Sequence, residues 1–128
     1  MFKRICISGA MLLAGVCPAM AAADGGRVQH VVIVWLKDHG SQAARQQYIE
    51  NSRRLGQLPM VLSYQVGTVL TADRAVVDGS YDVGIVATFE NEQALQDYLA
   101  HPEHRKVIEE SLKPLVEKAV VYDFKESN

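Results

Sequence analysis

The chain has 128 residues, 13 Lys and Arg against 15 Asp and Glu, 4 His and 48 % apolar residues. That length holds one domain with a modest core. The small acidic excess supplies no basic patch, which argues against nucleic acid or an anionic membrane as partner.

The first stretch reads as a leader rather than as domain. Lys3-Arg4 is a basic opening, residues 5–16 form a short apolar core, and Ala19-Met20-Ala21 with Ala22-Ala23 offers small-residue cleavage sites. This is the pattern of a secretory signal peptide over residues 1–23, so the expected location is the periplasm of a Gram-negative source, or otherwise outside the cell. Cys17 follows Leu13-Ala14-Gly15-Val16 and raises a lipoprotein alternative, although Val16 is larger than a lipidation signal wants. Cleavage after Ala21 or Ala23 removes Cys6 and Cys17, so the mature domain has no disulfide, thiolate metal site or cysteine nucleophile. It also leaves 11 basic against 15 acidic residues and no membrane partner. Residues 24–27 read as a tail and 28–125 as the domain.

Residues 28–36 are apolar on both parities, with His30, Val32, Val34 and Leu36 on one and Val31, Ile33 and Trp35 on the other. Such a strand is buried on both faces. Ser41 is an N-cap for a helix over 42–58, whose inward stripe is Ala44, Tyr48, Leu55 and Leu58, with Arg45 outside. Pro59 ends it. Residues 61–70 read as a strand, 71–79 as a loop and 81–89 as a strand. Asn91 caps a helix over 92–100, and Pro102 suits the first turn of the next. That helix runs to about 117, bent where Pro114 removes a bond to Glu110. Residues 119–124 form the last strand.

The order β-α-β-β-α-β is that of a ferredoxin-like α+β domain with a four-stranded antiparallel sheet. Its helices cover one sheet face only. The other face needs a second layer, and a two-fold homodimer joined face to face, a dimeric α/β barrel, provides it.

The chemistry-bearing candidates are few. No phosphate loop, GxSxG elbow or HExxH is present. Asp73, Asp78 and Asp82 read as solvated turn carboxylates. His101 and His104 are separated by a proline that breaks helical register, so no metal site is assigned, and His101 reads as a helix-ending cap. His30, Tyr98 and His104 remain. A near-neutral imidazole beside a phenol suits proton abstraction next to a carbonyl, with no cofactor. The structural alternative makes His104 a junction hydrogen bond and Tyr98 core.

Tyr98-Leu99-Ala100-His101-Pro102-Glu103-His104, the opening His30-Val31-Val32-Ile33-Val34-Trp35-Leu36-Lys37, Tyr81-Asp82-Val83-Gly84 and the closing Val120-Val121-Tyr122-Asp123-Phe124 resemble the stress-responsive A/B barrel (Dabb) family. The resemblance runs from about residue 29 to 125. It implies the dimeric barrel. The family spans stress proteins and a plant polyketide cyclase, and the cyclase's catalytic tyrosine and histidine match Tyr98 and His104. Its strand-one histidine matches His30, whereas Val83 and Ser52 stand where the cyclase has an active-site histidine and an aromatic residue. The resemblance therefore implies a stress-response barrel that binds a small apolar, aromatic or β-keto ligand or is purely structural. The alternative is a cyclase or lyase with His104 as general base and Tyr98 as its partner. Ligand contacts are expected from His30, Tyr48, Ile49, Ile85 and His101.

Overall fold

The computed structural model describes residues 26–127. The leader and both cysteines lie outside them. Four strands, β1 (Val28–Leu36), β2 (Ser63–Thr68), β3 (Val83–Phe89) and β4 (Val116–Lys125), form one antiparallel sheet in the order β2-β3-β1-β4. Three α-helices accompany them: α1 (Gln42–Ser52), α2 (Glu92–Ala100) and α3 (Pro102–Val107). This is the ferredoxin-like arrangement expected from the element order. Among the described residues no helix is long and apolar enough to cross a membrane.

Side-chain parity explains the layers. Val28, Val34, Leu36, Val83, Ile85, Ala87 and Phe89 point to the helices and are buried with Leu95, Tyr98, Val107 and Leu112. Ser41 and Asn91 cap α1 and α2 by accepting from the Ala44 and Ala94 amides at 3.2 and 2.9 Å. Each such cap stabilises its helix by about 1 kcal/mol.

The opposite face of the sheet is bare. Tyr122 and Phe124 are 60 % and 54 % exposed there, and their registered neighbours Val31 and Gln29 are half-buried. Trp35 lies on the same face, with the Lys118 ammonium 4.7 Å from its ring. β1 is thus covered fully on one side only, as a sheet awaiting a second layer requires.

Several boundaries differ from the sequence pattern, for backbone reasons. The first helix is α-helical only to Ser52, and Arg53–Gln57 tightens into a 3₁₀ turn. Gly56 belongs to that turn because a Cβ there would lie 2.7 Å from Tyr64 Cβ and Cγ. The helix after Pro102 is α-helical only to Val107. Pro114 has no N–H to offer Glu110, and the chain responds by widening rather than by bending alone. Ile108–Leu112 is a π turn, closed by the Lys113 amide on the Ile108 carbonyl, and Lys113–Leu115 is 3₁₀. β4 therefore starts earlier than apolarity indicates, while β2 and β3 are shorter.

The reading of Asp82 as a solvated turn carboxylate is overturned. Asp82 is 0 % exposed. Its Oδ2 accepts from the Leu36 amide at 2.9 Å and from His39 Nδ1 at 2.8 Å. Its Oδ1 accepts from the Gly40 amide at 2.9 Å and from Arg45 Nε at 3.0 Å, with Arg45 Nη2 at 2.9 Å. Arg45, expected on the outer face of α1, folds back to make this pair. Gly40 sits at φ +79, which turns its N–H inward and which a side chain would resist.

Candidate functional site: an apolar cavity under the helix break

The break between α2 and α3 is built by His101-Pro102. His101 is extended at φ −63, ψ 133, ends α2, and accepts the Glu103 amide on its own Nδ1 at 3.1 Å. Pro102 enforces that conformation on the residue before it. The break brings the Tyr98 ring to 4.5 Å from the His104 ring, inclined at 61°. Tyr98 also meets Phe89 at 4.9 Å and His30 at 6.0 Å. The three residues singled out from sequence are therefore one cluster.

Beside them a cavity of about 470 Å³ opens between the helices and β4. Its wall includes His30, Val32, Tyr48, Leu99, His104, Ile108, Leu112, Ala119 and Val121. The wall is chiefly apolar, and its two histidines come from β1 and α3. Leu99, His104 and Ile108 also border an outer pocket of about 320 Å³ with Arg105 and Glu109. A third pocket of about 390 Å³ lies at the far end of β4, with Asp123 on its wall.

Asp123 was not visible as a site residue from sequence. In the sheet it stands opposite His30, and its Oδ1 lies 2.6 Å from His30 Nδ1. An ionised carboxylate only accepts, so His30 Nδ1 is the donor of that contact, which fixes the orientation of the ring. His104 differs. Its Nδ1 is buried without a hydrogen-bond partner among the described residues. Burial, then His30, His101 and Arg105, lower its pKa from the ordinary histidine value, so it is a neutral base at pH 7. Burial, with Tyr64 and Tyr48 nearby, raises the Tyr98 phenol well above its usual range and keeps it a proton donor. The cluster can hold a carbonyl oxygen and move a proton beside it.

Residues 28–126 match the model of the Stress responsive A/B Barrel Domain, Dabb. The chain belongs to the Dabb family. Its fold is similar to that of a Dabb family protein from Mesorhizobium loti, with TM-score 0.66 and 21 % identity over 80 % of this chain and 99 % of that one. A dimeric ferredoxin-like protein of unknown function from Thermobifida fusca aligns with TM-score 0.62 and 23 % identity over 80 % and 92 %. Hydroxynitrile lyase from Passiflora edulis aligns with TM-score 0.66 and 23 % identity over 81 % and 96 %. No curated protein matches the chain in sequence.

Within this Dabb domain the remaining sequence candidates fall in different places. Tyr48 is on the cavity wall. Ile49 and Ile85 are buried core residues and are not part of that wall. His101 acts at the helix junction. Among the described residues no cluster of three or more His, Cys, Asp or Glu is placed to hold a metal.

Proposed function

We propose that this Dabb domain is an exported homodimeric barrel that binds a small apolar or aromatic molecule in the cavity beneath the helix break. The observation that carries the reading is the cavity of about 470 Å³, walled by aliphatic side chains yet entered by His30 and His104. Such a pocket matches small-ligand sites in size and in its few convergent polar groups. The bare sheet face, with Tyr122 and Phe124 exposed, supports a second copy across it, and solved relatives of this fold are described as dimeric. Ala119→Trp fills the cavity from β4. Calorimetry with small aromatic compounds should show binding to the mature protein and none to that variant; equal binding to both, or none to either, sinks the reading. Light scattering at micromolar concentration should give a dimer, and mass spectrometry of the exported form an N-terminus near Ala22 or Asp24.

A second reading, cofactor-independent cyclase or lyase chemistry, is favoured by the 2.6 Å His30–Asp123 contact beside the Tyr98–His104 pair. A hydroxynitrile lyase shares the fold. In this reading His104 is the general base and Tyr98 donates to the substrate oxygen. General acid–base groups contribute roughly 10²–10⁴-fold in rate, so His104→Gln should remove most turnover of any carbonyl substrate that the wild type processes. Asp123→Asn, which unsettles the His30 tautomer, should lower the rate less.

A further inference from the structure

The cavity beneath the helix break has a neighbour of opposite character. Leu99, His104 and Ile108 stand on the wall of the inner cavity of about 470 Å³ and also on that of the outer pocket of about 320 Å³. The two spaces therefore share a border along those three side chains. Inward from it the wall is Val32, Leu112, Ala119 and Val121; outward it is Arg105 and Glu109. A ligand lying across that border meets hydrocarbon at one end and charge at the other.

The ion pairs decide the sign of that charge. Lys113 Nζ donates to both Glu109 carboxylate oxygens, at 3.1 and 3.4 Å, so Glu109 is already answered. Glu103, on the same helix as Arg105, is taken by Arg54. The Arg105 side chain is exposed and makes no ion pair or hydrogen bond with an acid among the described residues. Its charge reaches His104, whose pKa it helps to lower after burial, His30 and His101. The outer pocket thus presents a guanidinium without a counter-charge, a planar fork that fits a carboxylate.

The β4 side of the inner cavity offers no rival cation. Lys113 is engaged by Glu109, and the Lys118 ammonium lies 4.7 Å from the Trp35 ring on the bare face of the sheet. Glu117 is on the wall there and disfavours an anion. We propose that the inner cavity and the outer pocket form one two-part site for an amphipathic carboxylic acid, with its apolar body inside and its carboxylate against Arg105. This rests on the cavity-binding reading above and names the class of ligand: a compact hydrocarbon or aryl body that ends in a carboxylate.

Three probes with one body and different ends test it: hexanoate, hexanol and hexylammonium, titrated calorimetrically at pH 7 and low ionic strength. The proteins are wild type, Arg105→Gln, Arg105→Glu and Lys106→Gln. Wild type should bind hexanoate roughly fivefold tighter than hexanol, the upper end for an exposed ion pair, and hexylammonium weakest. Added salt should shrink that preference. Arg105→Gln should bind acid and alcohol alike, and Arg105→Glu should favour the ammonium probe. Lys106 carries the same charge on the same helix but stands on neither wall, so Lys106→Gln should keep the full preference. Arg105 is exposed, so both of its variants should melt as wild type does, which separates lost recognition from lost fold. The proposal is overturned if wild type binds acid and alcohol equally, if Arg105→Gln keeps the preference, or if Lys106→Gln loses it as fully. Any of these with hexanol still bound defeats this inference alone. Failure of all three probes to bind wild type defeats the cavity reading with it.

Discussion

Asp82 and the Tyr98–His104 junction are both polar groups held in the same small core, and they are treated in opposite ways. Asp82 is a charge with no solvent, and backbone amides, His39 and Arg45 answer both of its oxygens. Burial would raise its pKa, yet those N–H groups together hold it well below the usual carboxylate range. At the junction, His104 Nδ1 is buried and has no hydrogen-bond partner among the described residues. A saturated group has its interaction energy spent on the fold, tying β1, α1 and the start of β3 together. An unsaturated one keeps its capacity for a ligand.

The largest test of the contrast is Asp82→Asn. An amide cannot accept the same set of donors, and Arg45 loses its counter-charge. Removing one partner of a buried pair destabilises by about 3–5 kcal/mol, so urea denaturation should show a drop of that size. A loss below about 1 kcal/mol would remove the claim that this knot organises the fold.

Acid should then separate the regions by pH. The folded Asp82 pKa is depressed, so its stabilisation is complete above the unfolded carboxylate value of about 4 and is lost as pH falls below it. The folded His104 pKa is also lowered, but here protonation favours the unfolded chain, so stability starts to fall below about pH 6.5. Melting temperatures of wild type should decline in both windows. His104→Leu should lack the upper decline, and Asp82→Asn should lack part of the lower one.

A smaller effect is expected from His104→Leu at pH 7. It replaces an unsatisfied ring with an aliphatic side chain, so stability should stay within about 1 kcal/mol of wild type or rise. A fall of several kcal/mol would show that His104 is structural, and the two regions would no longer differ in kind. The smallest effect belongs to the exposed Arg54–Glu103 pair, which links the 3₁₀ turn to α3 at 2.5 Å. Arg54→Ala should cost no more than about 1 kcal/mol in the same denaturation assay, because solvent screens the pair.

Much of this was legible in the chain. An unbroken apolar run places β1, alternating apolarity places β3, Ser41 and Asn91 mark helix starts, and Pro102 marks the break that joins Tyr98 to His104. The bare face follows from β1 having apolar residues on both parities. What was not legible depends on register. His30 meets Asp123 only because those two positions pair across β1 and β4, 93 residues apart. Asp82 in sequence resembles its exposed neighbours in a turn-rich stretch, and its burial depends on Arg45 folding back from a helix surface. Pro114 signals disruption, but local rules favour a bend, and the chain instead widens into a π turn over Ile108–Leu112.

Trp35 is the chain's single tryptophan, and it lies on the bare face beside Lys118, away from the cavity on the other side of the sheet. The molecule therefore carries an optical reporter placed on one of its two faces only. Emission from Trp35 should shift toward the blue as concentration drives a second copy over that face. Filling the cavity should leave the emission nearly unchanged. Assembly and occupancy can be followed in one cuvette, the first by colour and the second by heat.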